Sequence, residues 1–220
     1  MSIQNNLSAI INDALIPTAE LGAFARAARE HEVGLIAAPT SISSLAHEGG
    51  HDHESAEPLD LVSWAGYPTG KQHLLIKAAE ARLAIQSGAA AVAVVVDPVG
   101  LLADTDTALL GELIGLRSSV PAPAGLYAVI DLDVIPYDKL LQVLKWLDRA
   151  PIDAIVLTNL GWHQRAHPHL AIAALTSAWQ QLVQATSHPF IAVCDTKTAP
   201  APIAAGAAVW ITDLNLESQG

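Results

Sequence analysis

The chain has 220 residues, of which 51% are hydrophobic and 15% charged, and its formal net charge is −11 at pH 7. This length and apolar content suffice for a sizeable core, so residues 1–220 are predicted to form a single domain. The negative charge argues against a nucleic-acid-binding protein, because such binding depends on Lys and Arg neutralising phosphates. It equally argues against binding to an anionic membrane surface.

Several features indicate a soluble protein of a reducing compartment. The lone cysteine, Cys194, excludes an internal disulfide framework. Residues Met1 to Asn6 are polar and lack the basic-then-apolar pattern of a signal peptide. No apolar run reaches the ~18 residues of a membrane span. We therefore expect a cytoplasmic protein.

Short apolar runs alternate with helical patterns, which is typical of repeated βα units and a parallel sheet. Several runs, such as Val92–Val96, are almost wholly apolar, as expected for strands buried on both faces. The predicted strands are Ala9–Ile16, Val33–Ala38, Leu61–Ala65, Ala91–Val96, Leu126–Ile130, Ala154–Leu157, Phe190–Cys194 and Val209–Ile211. The predicted helices are Thr18–His31, Lys71–Gln86, Asp106–Arg117, Pro136–Arg149 and Pro168–Gln184.

Eight strands with intervening helices predict an α/β fold, the (β/α)8 TIM barrel, at its lower size limit. An open doubly wound sheet is the alternative, but the glycine fingerprint expected after its first strand is absent. Lys197–Gly206 leaves room for barely two helical turns, and few residues follow Thr212. We therefore expect a compact barrel with a truncated or missing last helix. The apolar surface then left near the first and eighth strands could be covered by a partner subunit in a homodimer.

One segment, Gly66–Gly88, carries a family resemblance. Gly66-Tyr-Pro-Thr-Gly-Lys71, followed by a helix containing Lys77-Ala-Ala-Glu-Ala-Arg82, resembles the loop and helix after the third strand of deoxyribose-phosphate aldolases. Ile11-Asn-Asp-Ala-Leu-Ile-Pro17 is similar to that family's first strand, and Gly88–Val96 to its fourth. The resemblance covers most of the chain. It implies an aldolase barrel that cleaves 2-deoxyribose 5-phosphate through a lysine imine at the end of the sixth strand.

The family's catalytic positions fall here on residues without the matching groups. Its Schiff-base lysine, in a V-K-T-S-T-G motif, falls on Leu157, which cannot form an imine. Its fourth-strand aspartate falls on Ala93, and its second active-site lysine on Val193 or Cys194. Its phosphate-holding motifs are replaced by Thr196-Lys-Thr198 and Trp210-Ile-Thr-Asp213. The resemblance thus implies a divergent member that lacks the family's nucleophile.

Polar side chains at the predicted carboxyl ends of the strands form the expected working face. The candidate catalytic residues are Lys197 and Lys71, the lysines near that face, and Asp97, which lies four residues beyond Ala93. Alternatively, Lys197 forms an ion pair, Lys71 is a solvated helix-start residue, and Asp97 begins a turn. The substrate-binding candidates are Asp13, Asp131, Thr158, Asn159, Asp195 and Asp213.

Two histidine clusters are candidates for metal binding. The first, His47, His51 and His53, is predicted to lie in a loop before the third strand, on the face away from the substrate mouth. The second, His163 and His167, follows the sixth strand on the working face. Solvated polar segments are the alternative for both. We expect no cofactor, and only weak divalent metal binding at these histidines.

The acidic mouth favours a neutral or cationic small-molecule ligand over a phosphorylated one. We therefore expect a small-molecule-binding or regulatory barrel. The alternative is an active aldolase or lyase on a small carbonyl compound, using a relocated Lys197 or Lys71, or a metal at His163 and His167. A third hypothesis is the family's own reaction through a different arrangement of groups.

Overall fold

The computed structural model describes residues 8–10, 18–50, 59–161 and 171–212. Its strands are β1 (Ser8–Ile10), β2 (Gly34–Ala37), β3 (Leu61–Ala65), β4 (Ala91–Val95), β5 (Gly125–Asp131), β6 (Ala154–Thr158), β7 (Phe190–Cys194) and β8 (Ala208–Ile211). Its α-helices are α1 (Thr18–Glu30), α2 (Pro39–Gly50), α3 (Leu74–Gln86), α4 (Pro98–Leu102), α5 (Thr107–Arg117), α6 (Tyr137–Leu147), α7 (Trp179–Gln184) and α8 (Pro200–Ala204). A 3-10 helix, Ile172–Ser177, precedes α7.

All pairings between neighbouring strands are parallel, and the strand order follows the chain order. The sheet closes where β1 pairs with β8, with Ser8 opposite Trp210 and Ala9 opposite Ile211. The predicted α/β class and parallel sheet are confirmed. The predicted loss of the last helix concerns residues after Thr212, which lie outside the described residues.

The strands separate two buried apolar clusters because successive side chains point to opposite faces. On β6, for example, Ala154 and Val156 belong to the interior cluster, whereas Ile155 and Leu157 belong to the cluster beneath the helices. The interior cluster consists of Ile36, Val62, Trp64, Ala91, Ala93, Val95, Tyr127, Val129, Ala154, Val156, Ile191, Val193 and Trp210. The barrel is therefore a packed core, and ligands can reach it only from its ends.

Two helices were given no bounds in the prediction from the sequence. Helix α2 is rich in Ser and Gly, which have low helix propensity, but it buries Ile42 and Leu45 completely. Helix α4 has only five residues and begins at Pro98, with Asp97 as its N-cap. Tertiary packing therefore decided α2 against its weak local signal, whereas α4 has good start signals but is too short to show a helical periodicity in the sequence.

The other differences concern helix lengths. The predicted helix Pro168–Gln184 forms as a 3-10 helix followed by the short α7, and its first three residues lie outside the described part. Helix α8 spans only five residues, in line with the short helix predicted there. Within the described residues, no helix is both long and apolar enough to cross a bilayer.

Candidate active-site mouth

The turn after β3 packs tightly against the carboxyl end of β4. Gly66 and Gly70 have positive φ values of 69° and 66°, and the Gly70 amide donates to the Gly66 carbonyl at 2.8 Å. A Cβ atom at Gly70 would lie 2.3 Å from the carbonyl oxygen of Val96. Only glycine fits this position, which explains the Gly-Lys pair of the sequence motif.

The structure brings together two of the three candidate catalytic residues at this turn. The Lys71 ammonium donates to both carboxylate oxygens of Asp97, at 3.1 and 3.2 Å. The pair is open to solvent, since the side chains are 51% and 35% exposed. Asp97 also accepts the Val99 amide at 2.8 Å, so it caps α4 as the turn interpretation expected. The pair can present an ammonium and a carboxylate to a bound molecule.

Sequence reasoning missed a buried lysine directly behind this pair. Lys77 on α3 is fully buried and donates to the Val95 carbonyl at 2.8 Å and to the Glu112 carboxylate. The other oxygen of Glu112 accepts the Asp97 amide at 3.0 Å. Lys77 lies on the same side of α3 as the buried Ala81 and Ala84, but its partner on α5 could not be predicted from the sequence. Lys77 and Glu112 therefore hold the backbone that carries Asp97.

Two more candidates, Asp131 and Thr158, meet at the carboxyl ends of β5 and β6. They are opposite each other in register and are 2% and 3% exposed. Asp131 continues the interior-facing alternation of Tyr127 and Val129. One Asp131 carboxylate oxygen accepts the amides of Asp133 at 3.0 Å and of Leu160 at 3.3 Å. Asp131 thus joins the two loops above the barrel interior.

Asp133, which is buried, anchors the loop that follows β6. Its carboxylate accepts the side-chain amide of Asn159 at 2.6 Å and the backbone amide of Gly161 at 2.9 Å. The Asn159 side-chain oxygen in turn accepts the Ile172 amide at 2.8 Å. The described contacts of Asn159 therefore connect loops. Asp133 was not among the candidate site residues predicted from the sequence.

The third candidate catalytic residue, Lys197, is exposed in the turn after β7. Asp195 is exposed beside it, and its pKa lies below the ordinary value for an aspartate. The main cause is hydrogen bonding from the Thr198 hydroxyl and amide, with a contribution from the charge of Lys197. Asp195 therefore remains ionised and keeps negative charge next to this lysine.

Leu157 is the residue on which the resemblance places the family's Schiff-base lysine. Leu157 is fully buried beneath the helices, so a side chain at this position points away from the barrel interior. The neighbouring interior-facing positions are occupied by Val156 and Thr158. No described strand contains a lysine. The five lysines of the chain lie on helices or turns: Lys71, Lys77, Lys139, Lys145 and Lys197.

Aromatic rings occupy much of the barrel interior. Trp210 lies 5.9 Å from Trp64 and 6.3 Å from Tyr127, and Trp64 lies 5.5 Å from the half-exposed Tyr67, measured between ring centroids. Burial raises the pKa of Tyr127 to about 12, and the charges of Asp60 and Asp153 act in the same direction. Trp64 and Tyr67 bring this aromatic series to the side of the mouth where Lys71 lies.

The histidine candidates are tested only in part. His47 lies in helix α2, so its predicted placement in a loop was wrong, because α2 extends to Gly50. Among the described residues no group of three His, Cys, Asp or Glu side chains could hold a metal ion. The remaining candidates lie outside the described residues: Asp13, His51, His53, His163, His167 and Asp213.

A surface cavity of about 340 Å³ lies in the outer helix layer between α7 and α8. It is lined by Trp179, Gln180, Ala201 and neighbouring small residues. None of the candidate site residues lines it. We therefore assign the candidate site to the carboxyl ends of the strands and not to this cavity.

Comparisons with known proteins agree with this architecture. The deoxyribose-phosphate aldolase of Corynebacterium glutamicum is 34% identical over 151 residues, which are 67% of this chain and 64% of that relative. The chain thus spans less than two thirds of that relative's length. No protein-family model matches the chain.

Solved structures resemble it over nearly its whole length. The tetrameric deoxyribose phosphate aldolase from Aeropyrum pernix has a TM-score of 0.74 at 18% identity, covering 98% of this chain and 90% of that one. An aldolase named QR15 has a TM-score of 0.76 at 15% identity, covering 96% of this chain and 90% of that one. At these identities the structural matches support the fold, and the sequence relatives support the family. The chain belongs to the deoxyribose-phosphate aldolase family.

Proposed function

We propose that this chain is a divergent aldolase-family barrel that binds a small molecule at its mouth without forming the family's imine. The observation that carries the proposal is the absence of a lysine from all described strands. An imine needs a neutral amine within reach of the substrate carbonyl. At the sixth strand, Leu157 faces the helices, and Val156 and Thr158 provide no amine.

The same proposal includes the kind of ligand. Charged groups at the mouth include Lys71 and Asp97 on one side and Asp195 and Lys197 on another. Carboxylates accompany both lysines, which disfavours a phosphorylated ligand. The pair Trp64 and Tyr67 adds an aromatic surface beside Lys71 and Asp97. A neutral or cationic small molecule with an apolar part fits this combination.

A second candidate function is an aldolase or lyase with a relocated lysine. The pairing of Lys71 with Asp97 at the mouth favours it, because an amine and a carboxylate are the groups that imine formation and proton transfer need. Lys197 is the other candidate amine. A carboxylate lies near each of these two lysines and disfavours its role as a nucleophile, because the carboxylate stabilises the protonated, non-nucleophilic form of a lysine.

The test is reductive trapping with acetaldehyde and borohydride, followed by intact and peptide mass spectrometry. A lysine amine that attacks acetaldehyde loses water to form an imine, and hydride then reduces it to a stable N-ethyl lysine. The Corynebacterium glutamicum enzyme is the positive control, and cleavage of 2-deoxyribose 5-phosphate is measured in parallel. We expect neither a specific adduct nor turnover.

Variants separate the two functions. A specific adduct with turnover that is lost in Lys71→Ala or Lys197→Ala, but kept in Lys145→Ala on the exposed side of α6, would establish the lyase and overturn the binding proposal. Turnover without any adduct, lost on chelation, would instead indicate a metal-dependent lyase, for which His163 and His167 are the proposed ligands. We propose no resident cofactor, and weak divalent metal binding at His47, His51 and His53.

We further propose a compact (β/α)8 barrel of the cytoplasm that associates with itself. A tetrameric structure is described for the Aeropyrum pernix neighbour. The lone, buried Cys194 fits a reducing compartment. Sedimentation velocity over a range of protein concentrations tests the self-association, and a monomer at all concentrations would contradict it.

A further inference from the structure

The outward side of helix α3 is unusually apolar. Leu75, Ile76 and Leu83 are 71%, 53% and 57% exposed. With exposed Ala79 between them, they follow the three- and four-residue spacing of a single helix face. Soluble helices normally carry polar residues on the side opposite their core-facing residues. Helix α3 instead buries Lys77 on its inner side and exposes aliphatic side chains on its outer side.

Helix α5 continues this surface because it packs closely against α3. A Cβ atom at Gly115 would lie 3.0 Å from the side chain of Leu74, so the lack of a side chain at Gly115 allows the two helices to come close there. Ile114 is 56% exposed, and a Cβ atom at Gly111 would have open space among the described residues. We call the surface formed by Leu75, Ile76, Leu83 and Ile114 the α3–α5 face. Gly111, which is exposed on α5, adds no side chain to this face.

The α3–α5 face carries little charge although the chain has a net charge of −11. Lys77 and Glu112 are turned towards each other between the helices, and Glu80 accepts the Gly66 amide. Arg82 is the single charged residue at an exposed position of these two helices. A strongly charged partner would therefore find no complement here, whereas another uncharged face would meet no repulsion.

The area is large enough for the apolar centre of an interface. Four aliphatic side chains that are all more than half exposed present on the order of 400 Å² of apolar surface, the size of patch that is often functional on a monomer. This is about half of the ~800 Å² that each partner buries in a stable protein interface, and the polar residues around the patch would supply the rest.

We propose that the α3–α5 face is where a second copy of this chain docks, in a two-fold symmetric dimer. A two-fold interface brings the same patch of both copies together, so this apolar, nearly uncharged face would pack against its own copy without charge repulsion. The inference rests on the proposed self-association and specifies the surface that mediates it. It moves the interface from the side of β1 and β8, expected from the sequence, to the opposite part of the helix layer.

The test compares charged substitutions on and off the face by sedimentation velocity and light scattering. Leu83→Glu and Ile114→Glu each bury a charge in the proposed interface, and we expect the dissociation constant to rise at least about 100-fold. The matched control is Ile203→Glu on α8, where the wild-type side chain is 50% exposed outside the face. It should dimerise like the wild type. Circular dichroism verifies that all three variants remain folded.

A cross-linking experiment gives a second readout that does not depend on destabilising the interface. Cys194 is buried, so Ala79→Cys supplies an accessible thiol on the face, and Ala204→Cys supplies one on α8. A short bis-maleimide should link Ala79→Cys into covalent dimers and leave Ala204→Cys monomeric. A dimer that is unaffected by both glutamate substitutions would overturn the assigned face but keep self-association. A monomeric wild type would overturn both.

Discussion

At the scale of single residues, the mouth depends on backbone positions that only particular side chains tolerate. Gly70 and Gly161 have almost the same positive φ, 66° and 68°. They differ in their surroundings: a Cβ atom at Gly70 would meet the Val96 carbonyl, whereas none of the described atoms lies within 4 Å of one at Gly161. Substituting each of these two glycines therefore separates the free-energy cost of the left-handed conformation from the free-energy cost of a steric clash.

We predict that Gly70→Ala lowers the free energy of unfolding by about 3 kcal/mol or more, since it adds a clash with main-chain atoms to an unfavourable φ. Gly161→Ala should cost only about 1 kcal/mol, from the conformation alone. Urea denaturation measures both values. Equal costs for the two variants would show that the turn does not press against β4.

At the scale of secondary-structure elements, α3 links the turn after β3 to the end of β4. Glu80 holds the Gly66 amide, and Lys77 bonds to the Val95 carbonyl and to Glu112, which holds the Asp97 amide. Breaking one partner of a buried ion pair leaves an uncompensated charge, whereas neutralising both partners is much less costly.

We predict that Lys77→Met destabilises the protein by about 3–5 kcal/mol in urea denaturation. The double variant Lys77→Met with Glu112→Gln should recover at least half of that loss, because Gln keeps an acceptor for the Asp97 amide. Lys145→Met, on the exposed side of α6, is the matched control and should change stability by less than about 0.5 kcal/mol. A double variant as unstable as the single one would mean that the methylene packing of Lys77 matters more than its charge.

At the scale of the whole molecule, the net charge of −11 opposes the proposed dimer. Two acidic chains repel each other over distances that salt shortens, since the Debye length falls from ~30 Å at 0.01 M to ~3 Å at 1 M ionic strength. The α3–α5 face contributes little of this charge, so its apolar contacts do not weaken when salt screens the repulsion.

We predict that raising NaCl from about 0.05 to 0.5 M tightens self-association several-fold, measured as the dissociation constant in sedimentation velocity. Leu83→Glu should remain monomeric at both salt concentrations. Dissociation on adding salt would instead indicate an interface made of ion pairs, which the α3–α5 face does not offer.

Much of the architecture could be predicted from local sequence patterns. The bounds of β3 and β7 coincide with the predicted Leu61–Ala65 and Phe190–Cys194, because short, mostly apolar runs between turn residues have few alternatives. The bounds of helix α2 were not predicted because its Ser and Gly residues give no strong helical signal, and its stability depends on burying Ile42 and Leu45. The candidates Lys71 and Asp97 were found individually, but their pairing was not, since 26 residues separate them in sequence.

The sequence alone determined the α/β class with its parallel strands, and the absence of lysine from the sixth strand, Ala154–Thr158. Both follow from residue type and order along the chain. Only the tertiary structure decided the direction of Leu157, the burial of Lys77 against Glu112, and the exposure of an apolar face on α3 and α5. Each of these depends on which elements become neighbours. Contacts between residues far apart in sequence fix those neighbours, and local patterns do not encode them.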